Sequence, residues 1–316
     1  MRQNVLLVGT GYMATEYFKV LSALNCEISV IGNSEESSRK FGDQFGIHVY
    51  SGSTNAFCQS NNPSRYNAAI VAVSIEALAG CTMDLLEFGI KSILVEKPGG
   101  VNKTEIEALS KCVQKNNASV FVAYNRRFYA SVIKAKEIIE QDGGVLSFNF
   151  EFTEWSHVIE HAVKSNETKS NWFIANSTHV IDLAFFLGGR PEQISCFSAK
   201  ELSWHKPAIF AGAGLTNKNA LFNYQANWLA PGRWSVEILT ANHRLIFKPL
   251  EKLQYQLRNS MEIQMFDLGK ELELDVTYKP GIYQQVQAFL NSENSSLCSI
   301  NEQREMFREF YSQMIK

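Results

Sequence analysis

Two pairs of side chains in this sequence could move a proton at an alcohol or a carbonyl. Glu96 and Lys97 follow a short apolar run and precede a proline and two glycines, so they stand where a buried strand ends in a sharp turn. His179 and Asp182 lie three positions apart in an apolar helical pattern, which places them on one face of a helix. A histidine beside an acid is a candidate acid/base, and a lysine can stabilise an alkoxide.

A glycine-rich loop near the N-terminus predicts a dinucleotide cofactor. An apolar strand precedes the loop and a helical pattern follows it, as the dinucleotide fingerprint requires. Gly9 permits the tight turn, Gly11 lets a pyrophosphate approach the backbone, and Ala14 allows close packing of helix and strand. The amides at the helix start then face the phosphates. The alternative is a purely structural glycine turn. The loop reads Gly9-Thr10-Gly11-Tyr12-Met13-Ala14.

The residues after the second predicted strand bear on which dinucleotide binds. An NAD site usually offers an acid here to the ribose 2′-hydroxyl, and positions 32–34 carry none. Asn33 and Ser34 can instead donate to a 2′-phosphate, and Arg39 follows on the next helix. This pattern favours NADP(H). NAD(H) stays open because the glutamates at 35–36 could reach a ribose.

The first 125 residues alternate apolar strands with helices, a pattern typical of a parallel, doubly wound sheet. Right-handed crossovers place the carboxyl ends of the strands at one edge, where such sheets bind ligands. Gly11, Ser74, Lys97 and Tyr124 are therefore expected along that edge. Ser74 is also expected to cap the helix that follows it.

The second half of the chain changes architecture after Asp142-Gly143-Gly144. Apolar and polar residues then alternate, which predicts a large, mostly antiparallel sheet with one covered face. We expect an α/β protein with a dinucleotide-binding Rossmann domain at 1–125 and a substrate-binding and oligomerisation domain at 126–316, whose last helices could pack back on the first domain. The uncovered sheet face predicts a homodimer or homotetramer. Strands are predicted near 190–200, 220–228, 234–240, 244–248, 253–257 and 262–267, and closing helices near 281–291 and 301–315.

Composition excludes several other functions. Thirty basic and thirty-two acidic residues give a net charge of -2, which gives no electrostatic case for nucleic acid or a membrane surface. Six scattered cysteines without a CxxC pattern indicate a reducing compartment. The absence of a leader or a long apolar run favours a cytoplasmic protein. His157, His161 and His179 lack zinc-ligand spacing, so no metal is expected.

Taken together, the motifs resemble the Gfo/Idh/MocA oxidoreductases, which include glucose-fructose oxidoreductase and inositol dehydrogenase. The resemblance covers nearly the whole chain and rests on the glycine loop, Val95-Glu96-Lys97-Pro98, Tyr124-Asn125-Arg126-Arg127-Phe128 and His179-Val180-Ile181-Asp182. It implies a Rossmann domain followed by an α/β domain with an open antiparallel sheet. It also implies hydride transfer between nicotinamide and the CH-OH or keto carbon of a sugar, sugar acid or nucleotide-linked sugar.

The resemblance also implies roles for single residues. Lys97 would bind substrate and ribose hydroxyls, His179 would be the acid/base, and Asp182 would orient the imidazole or bind a neighbouring hydroxyl. The expected cofactor contacts are Gly9, Thr10, Gly11, Tyr12, Met13, Asn33, Ser34, Arg39, Ser74, Glu96 and Lys97, and the expected substrate contacts are Tyr124, Arg126, Trp172 and Asn176.

Two positions depart from the family pattern. Ala175 stands where many members carry an aspartate four residues before the histidine, and Val73-Ser74 replaces a common Thr-Pro. Ala175 supports a rival hypothesis, a cofactor-binding sensor or regulatory subunit that has lost catalysis. A reductase of a non-sugar substrate is a third reading. For Arg126 and Arg127, ordinary salt bridging at a domain interface is the alternative to substrate binding.

Overall fold

The computed structural model describes residues 2–62, 65–269 and 271–316. The chain divides into two compact units. Unit 1 comprises Met1–Tyr124 and Ile282–Glu305, and unit 2 comprises Asn125–Gly281 and Met306–Lys316. Of the segment expected to form the second domain, 126–316, residues 282–305 thus belong to unit 1.

Unit 1 is built on six parallel strands in the order β3-β2-β1-β4-β5-β6, the order of dinucleotide-binding folds. The order reverses between β1 and β4, which marks the point where such sheets open a ligand crevice. A two-residue strand, Cys298–Ser299, adds antiparallel to β6. The strands are β1 (Asn4–Val8), β2 (Glu27–Gly32), β3 (Val49–Ser51), β4 (Ala68–Val71), β5 (Ser92–Glu96) and β6 (Ser119–Ala123).

The helices of this half cover the sheet. The central strands β1, β4 and β5 are buried along nearly their whole length, as expected for parallel strands covered on both faces. Tyr17 and Leu21 of the first helix are fully buried. The helices are α1 (Tyr12–Ala23), α2 (Glu35–Phe45), α3 (Thr54–Ser60), α4 (Leu78–Glu87) and α5 (Lys103–Lys115).

Unit 2 is built on an eight-stranded sheet, antiparallel except where β7 pairs with β10. Its order is β14-β13-β12-β11-β7-β10-β9-β8. The predicted α/β fold, with a Rossmann sheet and a mostly antiparallel second sheet, is confirmed. The strands are β7 (Ser147–Glu151), β8 (Pro191–Ala199), β9 (Ile209–Thr216), β10 (Leu221–Asn227), β11 (Ser235–Leu239), β12 (His243–Phe247), β13 (Gln254–Leu257) and β14 (Ile263–Met265).

The sequence reading missed β9 because glycines interrupt it. A Cβ on Gly212 would lie 2.4 Å from the Tyr224 hydroxyl, and one on Gly214 would lie 2.6 Å from the Phe222 ring. Both rings belong to β10 and lie across these glycines. Glycine stands at these two positions because the aromatic rings of β10 occupy the space that a Cβ would take. Glycine is uncommon inside strands, so its presence weakens the strand pattern in the sequence.

One helix covers the apolar face of this sheet. Phe185 of α9 packs edge-on against Phe148, Phe150 and Phe222, with ring centroids 5.0–5.6 Å apart. The helices of unit 2 before residue 282 are α6 (Ala130–Gln141), α7 (Ser156–Glu160), α8 (Asn166–Ser170), α9 (Thr178–Gly188) and α10 (Glu271–Thr277).

The chain closes with α11 (Ile282–Leu290), α12 (Ile300–Met306), a π-helical turn at Phe307–Tyr311 and α13 (Ser312–Met314). Phe310 and Tyr311 are fully buried. The six cysteines form no disulfide bonds among the described residues. Within the described ranges, no helix has both the length and the apolar character needed to cross a membrane.

Candidate functional site

The glycine loop fits a dinucleotide pyrophosphate. A Cβ on Gly9 would lie 2.2 Å from the carbonyl oxygen of Ala72, and its φ of 121° also requires glycine. Gly11 differs, because no atom lies within 4 Å of the place its Cβ would take. Space is therefore left over Gly11. No side chain caps the N-terminus of α1, so its first amides face a position suited to an anion.

The other loop residues are arranged around this opening. Thr10 packs against Gly32 at the end of β2, where a Cβ would come within 2.8 Å of its methyl group. Tyr12 is largely exposed and Met13 is half-buried. These positions leave the backbone of the loop, rather than its side chains, as the group best placed for phosphate.

The segment after β2 is exposed and polar. The Ser34 hydroxyl accepts a hydrogen bond from the Ser37 amide at 3.3 Å and so caps α2. Asn33 and Arg39 are exposed. Lys40 pairs with Glu36 at 2.6 Å, whereas the Arg39 side chain forms no ion pair or hydrogen bond with any residue that the structure describes.

The turn after β5 is tied to α1 through Glu96. The Lys97–Pro98 peptide is cis, and the Gly99 amide donates to the Glu96 carbonyl at 2.9 Å. One oxygen of the buried Glu96 carboxylate accepts from the Tyr17 hydroxyl at 2.8 Å, and the other from the Lys97 amide at 3.2 Å. Burial, and then Glu96, raise the pKa of Tyr17, so the phenol stays a donor. The Lys97 side chain is half-buried.

Tyr124 directly follows β6, and Ser74 follows β4. Tyr124 is almost fully buried, and its hydroxyl accepts a 3.0 Å hydrogen bond from Gln303, whose amide also lies 3.1 Å from the Pro98 carbonyl. Tyr124 thus supports the Lys97–Pro98 turn from within unit 1. Ser74 is exposed and begins a short 3-10 turn without a side-chain cap, so the capping role expected for it is wrong.

In unit 2, His179 and Asp182 both lie in the buried first turns of α9, after a π-helical turn at Phe173–Ser177. The His179 ring lies 6.3 Å from the Trp234 ring. Both oxygens of Asp182 accept from Arg127, at 2.8 Å from Nε and 2.5 Å from Nη2. Arg127 is therefore held by an acid of its own unit. The carboxylate expected to serve the imidazole forms a buried bidentate ion pair.

Sequence reasoning missed a second carboxylate, Glu154. It is buried and accepts from Asn176 at 3.0 Å and from the Ser177 hydroxyl at 2.8 Å, while Arg233 approaches it at 3.5 Å. Burial raises its pKa, and Ser177, Arg233 and Asn176 offset part of that rise. Trp172 adds a smaller offset to the pKa of Glu154, and its indole nitrogen is buried without a hydrogen-bond partner among the described residues.

A signal for Glu154 was present in the sequence. The alternation Phe148, Phe150, Phe152 continues past the end of β7 to Glu154, so an acid follows three aromatic residues at inward-facing positions. An acid at an inward position needs partners. The expected substrate residue Asn176 therefore binds a carboxylate that the motifs did not include.

Comparison with known proteins places the first unit in a family. Residues 3–124 match the model of GFO_IDH_MocA, the oxidoreductase family with an NAD-binding Rossmann fold. Over these residues the chain matches the Gfo/Idh/MocA oxidoreductases. The resemblance read from the motifs is thereby confirmed, and the domain has an NAD-binding fold. No curated protein matches the sequence.

Solved structures extend the fold over the whole chain. A levoglucosan dehydrogenase in complex with NADH aligns with a TM-score of 0.82 at 17% identity, over 100% of this chain and 96% of that one. An oxidoreductase from Agrobacterium radiobacter with NAD+, L-tartaric acid and magnesium gives 0.79 at 13%, over 99% and 96%. The UDP-N-acetylglucosamine 3-dehydrogenase of Acidithiobacillus ferrooxidans gives 0.75 at 13%, over 100% and 97%. At these identities the likeness establishes the fold.

Proposed function

We propose that the chain is an NAD(P)-dependent oxidoreductase acting on a hydroxyl or keto carbon of a sugar, sugar acid or nucleotide-linked sugar. The observation that carries this is the open space over Gly11, at the uncapped start of α1 and at the sheet edge where β5 ends in Glu96-Lys97. Sugar dehydrogenases among the similar structures support the substrate class.

The cofactor and the residues of the site have separate roles in the proposed reaction. A bound nicotinamide supplies or accepts the hydride at its C4. The backbone of Gly9–Met13 holds the pyrophosphate, and Asn33, Ser34 and Arg39 meet the adenosine ribose. His179 takes the hydroxyl proton during oxidation and returns it during reduction. The Lys97 ammonium donates to the reacting oxygen and stabilises its negative charge.

The remaining residues have supporting roles. Asp182 orients Arg127, and Asn176 and Trp172 present polar groups to substrate hydroxyls beside Glu154. Glu96 positions the Lys97 turn through Tyr17.

The rival hypothesis is a cofactor-binding sensor, and it rests on Ala175. The buried Glu154 weakens it, because a carboxylate is still bound by Asn176 and Ser177, the residues directly after Ala175. Turnover separates the two hypotheses, since a sensor binds the dinucleotide without consuming it.

The cofactor is expected to be NADP(H) rather than NAD(H). No acid stands at 32–34, and α2 begins just after the Ser34 cap, where the positive end of the helix dipole favours a negative 2′-phosphate. NADPH should bind at least several-fold more tightly than NADH in a titration of intrinsic fluorescence. Arg39→Ala should erode this preference, whereas Lys40→Ala, which removes a neighbouring charge already paired with Glu36, should leave it intact. A lower Kd for NADH would contradict the proposal.

The uncovered sheet face is expected to bind a second copy of the chain, giving a homodimer or homotetramer. Ile263, Leu221 and Gln193 belong to one row of paired residues that crosses the sheet from β14 to β8, on the face opposite α9. Leu221 is 62% exposed and Phe197, on the same face, is 72% exposed. Large apolar side chains that are exposed on one face of a sheet support an interaction surface there.

Light scattering at micromolar concentration should therefore give at least twice the mass of one chain. The double change Leu221→Lys and Phe197→Glu should lower that mass, because it places charges in the contact. The matched change Lys200→Glu, at an exposed polar position just after β8, should not. A monomeric mass for the unaltered protein would contradict the proposal.

A further inference from the structure

Two arginines and three aromatic rings form a stack in unit 2, which we call the arginine stack. The Arg126 guanidinium carbon lies 4.9 Å from the Trp234 ring centre and 6.0 Å from that of Tyr129. The Arg233 guanidinium carbon lies 4.6 Å from the Trp234 ring centre and 4.7 Å from that of Trp155. Both cations therefore pack on the indole of Trp234, which holds their planar groups in place.

The two arginine side chains of this stack have hydrogen-bond donors that are not fully satisfied by the described residues. The Arg126 side chain forms no hydrogen bond or ion pair with any part of the chain that the structure describes, and its Nε is buried. Arg233 approaches Glu154, but only at 3.5 Å. Burial lowers the pKa of Arg126, and Arg233 lowers it further, while Glu251 and Glu154 act in the opposite sense. An arginine stays charged in proteins, so a cation with open donors remains here.

The arginine stack lies beside the candidate acid/base. Trp234 contacts both arginines, and its ring centre is 6.3 Å from that of His179. β11 pairs antiparallel with β7 through Ser235 and Glu151, so the residues just before Ser235 run alongside those just after Glu151. This register brings Arg233 to Glu154. One small molecule could therefore meet the guanidinium groups at one end and the imidazole at the other.

We propose that Arg126 and Arg233 bind a carboxylate or phosphate group of the substrate, while His179 acts on a hydroxyl of the same molecule. The inference rests on the proposed function and names its substrate class: an anionic sugar, such as a sugar acid or a sugar phosphate, rather than a neutral one. The planar fork of a guanidinium matches both anions through paired N–H donors. A neutral sugar would leave the buried Nε–H of Arg126 unpaired, and a site with an unpaired buried donor rejects such a ligand strongly.

Binding of matched ligands by the full-length protein tests this. The probes are D-glucuronate, D-glucose 6-phosphate and D-glucose at constant ionic strength, followed by tryptophan emission, since Trp234 and Trp155 lie in the stack. At least one anion should bind saturably, with a Kd at least about tenfold below that of glucose. The two anions separate a carboxylate site from a phosphate site.

The variants locate the effect. Arg126→Gln and Arg233→Gln should each raise the Kd of the anion at least about tenfold and leave the Kd of glucose unchanged. Arg126→Lys keeps the positive charge but loses the planar guanidinium. Its Kd for the anion should lie between those of the unaltered protein and Arg126→Gln. Arg258→Gln removes an exposed arginine of unit 2 and should change nothing. Should Arg126→Gln fail to fold, Arg233→Gln carries the test, because its side chain is 44% exposed.

No saturable anion binding, or equal Kd values in the unaltered protein and both glutamine variants, would overturn the proposal. The assay needs no turnover, so it fails independently of the proposed function. Anion binding that depends on Arg126, without hydride transfer to any sugar, would uphold the anion site and reject the oxidoreductase. Efficient turnover of a neutral sugar, unaffected by Arg126→Gln, would support the oxidoreductase and reject the anion site.

Discussion

Replacing His179 with asparagine is expected to lower turnover by about 10²–10⁴-fold, the usual contribution of general acid–base catalysis. Asparagine fills a similar volume and keeps a polar side chain, but it cannot take up a proton at neutral pH. His179 lies on α9 in unit 2, whereas the glycine loop lies in unit 1. The Kd for NADP(H) should therefore change by less than about threefold, below 1 kcal/mol.

Two further variants test whether the loss of turnover is specific to His179. His157→Asn changes an exposed histidine of α7 and should leave turnover unaltered. Lys97→Ala should lower turnover to a similar extent and also weaken cofactor binding, because that side chain is expected to contact the ribose as well as the substrate. Stopped-flow measurement of NAD(P)H absorbance with an identified substrate gives the rates. Unchanged turnover in His179→Asn would show that the acid/base is another group.

Removing one partner of the Arg127–Asp182 pair is expected to destabilise unit 2 by about 3–5 kcal/mol, the usual cost of an uncompensated buried charge. Both side chains are about 95% buried and share two hydrogen bonds. Arg127→Met therefore leaves a carboxylate in a site that water does not reach. The double variant Arg127→Met and Asp182→Leu removes both charges and should recover much of the loss, because apolar side chains of similar volume can replace a buried pair.

Urea denaturation at one fixed protein concentration measures these differences, since association with a second copy would shift the apparent stability. The control is Arg244→Met, which breaks a partly exposed pair with Glu237 on β11 and β12 and should cost no more than about 1 kcal/mol. A double variant as unstable as the sum of its single variants would show that the two charges do not stabilise each other in the fold.

Much of unit 1 could be read from the sequence because its signals are local. The spacing Gly9-x-Gly11-x-x-Ala14 describes one turn between one strand and one helix, and the structure places it there. The end of β5 at Glu96 was likewise marked by the proline and glycines that follow. Each signal acts over a few residues, so no knowledge of distant packing was needed.

Unit 2 was predictable in outline and not in detail. Alternating side chains indicated most strands of the sheet, but β9 was missed because Gly212 and Gly214 make room for rings from β10. The sequence analysis allowed the last helices to pack back on the first domain, but no local signal marks 282–305 as the part that belongs to unit 1. Such features depend on which strands become neighbours, and a sequence pattern with a period of two does not specify that.

By itself, the sequence determined the fold class, the family of residues 3–124 and the positions of Lys97 and His179 on their elements. Only the tertiary structure decided the partners of the charged groups. Arg127 meets Asp182 across 55 positions, and Arg233 meets Glu154 across 79. These pairs form because α9 packs on the sheet and β11 pairs with β7 in one register. A buried charge must find a partner, but packing and register, which are properties of the whole fold, choose which one it finds.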